Sequence, residues 1–168
     1  MDIRMLLKLS PIALAGCTQM QSHQVVIPPL PTCADIYQIL QNANSEFDNL
    51  KSGPKIQMRG SVYPYWGSTI SLPGANECII RERDIASYQF RCSWVHGSDR
   101  ASMGQHYQAL RDKVVSCVGD VQVSRNDLRG YTVIYLEPMS QLAQLQYWVR
   151  AKYESPPYTV NFDIETRR

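Results

Sequence analysis

Hydrophobic positions along this chain change their period several times, and each change predicts an element. Ile36, Tyr37, Leu40, Ala43 and Phe47 recur at three- and four-residue intervals, which places them on one face of a helix over residues 33–48. Thr32 precedes the run as an N-cap, and Asp35 sits where the positive helix end favours a carboxylate. Ser52-Gly53-Pro54 is expected to end the helix. The pattern then turns strand-like. Ile56, Met58 and Val62 predict one strand, broken by Gly60 and Tyr63-Pro64-Tyr65, and Thr69 to Leu72 predicts a short second before the Pro73-Gly74 turn. Tyr88, Phe90, Cys92 and Trp94 alternate with Gln89, Arg91 and Ser93, the period of a half-buried strand. A hairpin centred on Ile85 sets Ile80 opposite Phe90 and Cys78 opposite Cys92. Within it, Arg81-Glu82-Arg83-Asp84 alternates in sign and reads as a solvated turn.

His96-Gly97-Ser98-Asp99 leads into a second helix, about Ala101 to Val118. Its buried stripe is Met103, Tyr107, Leu110, Val114 and Cys117, and Gly119 is its stop. The last third returns to strands. Tyr131 to Leu136 is rich in aromatic and β-branched residues. Leu145 to Tyr153 and Tyr158 to Ile164 flank Ser155-Pro156-Pro157 as a long hairpin, although Leu142, Leu145 and Val149 also fit a helix over 139–150. The fold expected is α+β: an antiparallel sheet of about five or six strands with two helices on one face.

The N-terminus adds an address. Arg4 and Lys8 supply positive charge, and Leu9, Ile12, Ala13, Leu14 and Ala15 an apolar run too short to span a membrane. Leu14-Ala15-Gly16-Cys17 closes it. The tetrapeptide resembles a bacterial lipobox. That resemblance implies a signal peptide over 1–16, removed to leave Cys17 carrying acyl chains, palmitate among them. Two or more chains anchor stably, at about 0.8 kcal/mol per buried methylene. By the same analogy Thr18, in place of an aspartate, points to the outer membrane. Residues 17–31, with Pro28, Pro29 and Pro31, read as an extended tether, and 32–168 as a single domain.

Cysteines and charge sharpen this reading. With Cys17 assigned to lipid, Cys33, Cys78, Cys92 and Cys117 form an even set, suited to disulfides in an oxidising compartment. Reduced structural thiols are the plainer alternative. The hairpin register favours Cys78–Cys92. A helix returning over the preceding strand carries Cys117 away from Cys92, which leaves Cys33–Cys117. No Cys-x-x-Cys pair suggests a metal or redox site. Beyond Arg4, Lys8 and Asp2 the chain has 15 basic and 14 acidic residues, a balance that gives no electrostatic case for nucleic acid.

Candidate chemistry is sparse. His96, Ser98, Asp99 and His106 invite a nucleophile-and-base reading, but the local order looks like a helix cap. Glu46, Glu77, Glu82, Glu137 and Glu154 lie in polar contexts, without the facing pair that glycan cleavage needs. No catalytic residue, metal or cofactor is assigned. Ten tyrosines and three tryptophans direct attention to Tyr63, Tyr65, Trp66 and Trp148, since Tyr and Trp are enriched at protein interfaces. The expected function is a non-enzymatic, lipid-anchored envelope protein, periplasm-facing by its address, that binds another envelope protein in an assembly, accessory or immunity/inhibitor role. A small periplasmic hydrolase is the alternative.

Overall fold

Thr32 and Asp35 form a reciprocal capping box. Thr32 Oγ1 accepts from Asp35 N at 3.2 Å, and Asp35 Oδ2 accepts from Thr32 N at 2.7 Å. The computed structural model, which describes residues 25–57, 60–84, 87–119, 121–128, 131–138 and 145–166, places helix α1 behind this cap at Cys33–Ala43. It stops short of residue 48 because Glu46 and Phe47 take positive φ and lead into a short 3-10 turn, Asp48–Leu50. Phe47 is buried all the same, reaching the core from the turn. Ser52-Gly53-Pro54 does not end the helix. It lies within strand β1 (Lys51–Ile56), at the edge of the sheet, where a proline without an N–H is tolerated.

Seven further strands follow: β2 (Tyr65–Ser68), β3 (Glu77–Asp84), β4 (Ser87–Gly97), β5 (Val121–Leu128), β6 (Tyr131–Pro138), β7 (Leu145–Lys152) and β8 (Tyr158–Thr166). Helix α2 (Arg100–Val118) joins β4 to β5. All pair antiparallel in one sheet, in the order β1-β2-β3-β4-β8-β7-β6-β5. The architecture is the expected α+β one. Six strands of eight residues or more make its body, and the short β1 and β2 extend one edge. Those two lie a few residues before the expected 56–62 and 69–72, since an edge strand with one neighbour need not carry alternating hydrophobics. Arg81 to Asp84 is strand and not turn, because cross-strand pairing with β4 continues to Asp84 opposite Ser87. Strand β5 has only Val121 and Val123 in alternation and was not anticipated. Residues 145–152 pair with both β6 and β8, so the helical option there is not adopted.

Register explains the core. Cys78, Cys92, Phe162 and Val149 face one another in one row across β3, β4, β8 and β7, and Trp94, Val160 and Ala151 in another. The helices close over this side with Ile36, Ile39, Met103, Leu110 and Val114, all buried. Helix α2 packs on β7 and β8 and against α1, and Cys33–Cys117 and Cys78–Cys92 are both bonded. Tyr37 Oη also donates to the Cys117 carbonyl.

The end of the expected tether is held against the domain. Pro28 fills space that a side chain at Gly74 would occupy, with a Cβ there only 2.9 Å from Pro28 Cβ. Leu30 packs on the core, and Val26 O accepts from Ser102 Oγ at 3.1 Å. Of the prolines expected in the tether, Pro31 is buried, Pro28 is half-buried and Pro29 is exposed. Cys17 and the signal region fall outside the described residues.

Candidate functional site

Alternation along β4, β7 and β8 sends one set of side chains to the helices and the other to the opposite, open face. On that face Asp163 is fully buried. A buried carboxylate needs partners that satisfy its charge, and two arginines from neighbouring strands supply them. Arg91 Nε donates to Oδ1 at 2.6 Å; Arg150 Nε donates to Oδ2 at 2.9 Å, and its Nη2 lies 2.7 Å from the same oxygen as an ion pair. Arg91 Nη2 also donates to Gln89 Oε1 at 3.0 Å. The Arg150 guanidinium carbon lies 5.9 Å from the centre of the Trp148 ring, within cation–π range. Arg83 approaches Glu165 at 4.0 Å. Arg81, opposite Gln89 on β4 and Tyr65 on β2, is half-buried. Burial, followed by the charges of Arg91 and Arg83, holds its guanidinium below the usual arginine range.

The four aromatic candidates do not form one patch. Trp66 and Tyr65 are adjacent on β2 and so point to opposite faces. Trp66 packs toward the helix side beside Tyr88, where Lys51 Nζ lies 4.2 Å from the Tyr88 ring centre and 4.7 Å from that of Trp66. Lys55 also approaches Trp66, at 5.0 Å, and pairs with Glu82 at 3.0 Å. Tyr63 is exposed in the loop before β2. Tyr65 shares the open face with Trp148, but three strands separate β2 from β7, about 19 Å at the usual strand spacing. The arginines occupy that interval. Their signal was present in the sequence: the period that buries Phe90, Cys92 and Val149 puts Gln89, Arg91, Trp148 and Arg150 together on the other side.

A second polar group lies at the start of α2. Asp99 is its N-cap, with Oδ1 accepting from Ser102 N at 2.9 Å, and Ser98 is exposed. Ser102 Oγ meets His96 Nδ1 at 3.1 Å, and His96 Nε2 meets His106 Nδ1 at 2.9 Å. These contacts fix the protons. Ser102 gives its hydroxyl hydrogen to Val26 O, so it accepts from His96 Nδ1–H. His96 Nε2 then accepts from His106 Nδ1–H. Both rings are neutral, and His106 Nε2 is a buried lone pair without a partner among the described residues, with the Trp94 ring edge-on to the imidazole. Desolvation, then the nearby His96, pushes the His106 pKa down to about 4; desolvation also lowers that of His96, opposed by Asp99.

The chain matches no protein-family model, no curated protein and no solved structure.

Proposed function

We propose that the protein is a non-enzymatic, lipid-anchored component of the bacterial envelope whose domain binds another envelope protein. The observation that carries this reading is the use of its cysteines. The four left after Cys17 are joined in two disulfides, one tying α1 to α2 and one tying β3 to β4, and such bonds persist in oxidising compartments. Cys17 at the end of the lipobox-like segment is then the single thiol free for acyl chains. Thr18 favours the outer membrane, and the domain is held to that anchor by a short leader whose last residues pack on the core. The open face offers binding chemistry of the kind found at interfaces: arginines held in fixed planes, beside a tryptophan.

The competing reading, a small periplasmic hydrolase, has Ser102 beside His96 to draw on. There the hydroxyl hydrogen goes to Val26 O and not to the imidazole, so the base is not engaged with the nucleophile. Affinity capture from envelope extract with the full-length protein tests the proposal. We expect an envelope protein that is lost with Trp148→Ala or Arg150→Ala and retained with His96→Ala. Turnover of peptidoglycan or model esters that disappears in Ser102→Ala would support the hydrolase instead.

A further inference from the structure

We propose that the open face of the sheet binds an oxyanion, a carboxylate or phosphate group, against Arg81 and Arg91. This inference is independent of the anchor and the compartment. Among the described side chains, Arg81, Arg83, Arg91, Arg150 and Lys152 share this face with the carboxylates Asp163, Glu165 and Glu77, an excess of two positive charges. Asp163 is spent on Arg91 and Arg150, and being fully buried it serves to hold their guanidinium planes. Arg91 donates through Nε and Nη2, and Arg150 donates through Nε with Nη2 in an ion pair, so neither Nη1 amine has a contact among the described residues. Arg81 has no ion pair among the described residues. It sits diagonally across from Arg91, a spacing of about 7–8 Å in an antiparallel pair, which two long side chains close readily onto one ligand.

The energetic case follows from this placement. A half-buried guanidinium beside Arg91 and Arg83 loses hydration and gains repulsion, and the charge of Asp163, already bound to Arg91 and Arg150, offsets this only in part. One anion between Arg81 and Arg91 would relieve both costs. The guanidinium fork also matches an oxyanion with paired N–H donors, as a spherical halide cannot. The site is thus pre-organised from behind by a buried aspartate, with Arg81 and Arg91 both partly exposed.

The protein purified from cells in detergent is titrated with inorganic phosphate and, separately, with sodium acetate, at ionic strength held constant with sodium chloride. The readout is the arginine Nε–Hε resonances. Saturable shifts at Arg81 and Arg91 are expected, with binding weakened about tenfold in Arg81→Gln, the loss of one charge-assisted contact. Arg81→Lys keeps the charge and loses the fork, and is expected to bind several-fold more weakly than the parent. Arg111→Gln, on the far side in α2 beside Asp112, should leave binding unchanged. Saturation by phosphate alone assigns the site to phosphate-bearing ligands; saturation by both admits carboxylates. Shifts that chloride reproduces, or Arg91 shifts that saturate at the same concentration in Arg81→Gln as in the parent, would overturn the proposal.

Discussion

The two faces of one sheet carry different physics, and strand β8 shows it in adjacent residues. Phe162 turns to the helices and is buried among Cys92, Val149 and the α-helical hydrophobics; Asp163 turns the other way and is buried among arginines. Both are inaccessible, but for opposite reasons. The helix side is closed by apolar contact and cross-linked by both disulfides, so its role is stability. The open side holds an excess of cations around one carboxylate, an arrangement whose desolvation cost offsets much of its attraction. A surface kept in that condition suits recognition better than stability.

The comparison can be broken first at the cross-links. Cys33–Cys117 closes a loop of 84 residues and Cys78–Cys92 one of 14. By loop entropy the first contributes about 4.5 kcal/mol and the second about 3 kcal/mol. Denaturant unfolding should therefore rank Cys33→Ser/Cys117→Ser as the more damaging double replacement.

Replacing the neighbours on β8 separates the faces more finely. Phe162→Ala should cost about 3–5 kcal/mol through the cavity it leaves. Asp163→Ala should cost a similar ~3–5 kcal/mol by stranding two guanidinium groups. Salt distinguishes them: added sodium chloride should recover part of the Asp163→Ala loss by screening the leftover repulsion, and none of the Phe162→Ala loss. Equal salt responses would remove the distinction drawn between the faces.

The histidine pair tests the helix side by pH. His106 titrates near 4 in the fold against about 6.5 when unfolded, so the unfolded chain binds the proton first. Its contribution is complete above about pH 6.5 and is lost as pH falls toward 4, on the order of 3 kcal/mol in all. Thermal unfolding between those values should show this acid limb, flattened in His106→Gln. The smallest effect is expected at Arg81. Arg81→Gln should change stability by no more than about 0.5 kcal/mol, because Arg81 has no ion pair among the described residues, even as it weakens oxyanion binding about tenfold.

Much of the helix side was legible in the sequence. Period-two alternation from Tyr88 to Trp94 set the register that bonds Cys78 to Cys92, and the stripe from Met103 to Cys117 placed the second disulfide. Apolar residues report their own burial, and that made these elements readable. The open face was not read, because Arg81 and Arg83 in an alternating-sign run look solvated until the strand that carries them is known to pair with β4. Strands β1 and β5 are the two edges of the sheet, and a strand with one neighbour needs little hydrophobic signature, so the sequence misplaces the first and does not reveal the second. The relay from Ser102 through His96 to His106 joins a strand end to a helix and has no local spacing to reveal it.

The most direct test of the whole account is the intact mass, without reductant, of the protein isolated from cells. The account predicts a chain beginning at Cys17, heavier by its acyl chains, with Cys33, Cys78, Cys92 and Cys117 all oxidised. A chain that retains Met1 to Gly16, carries no lipid and has free thiols would contradict it.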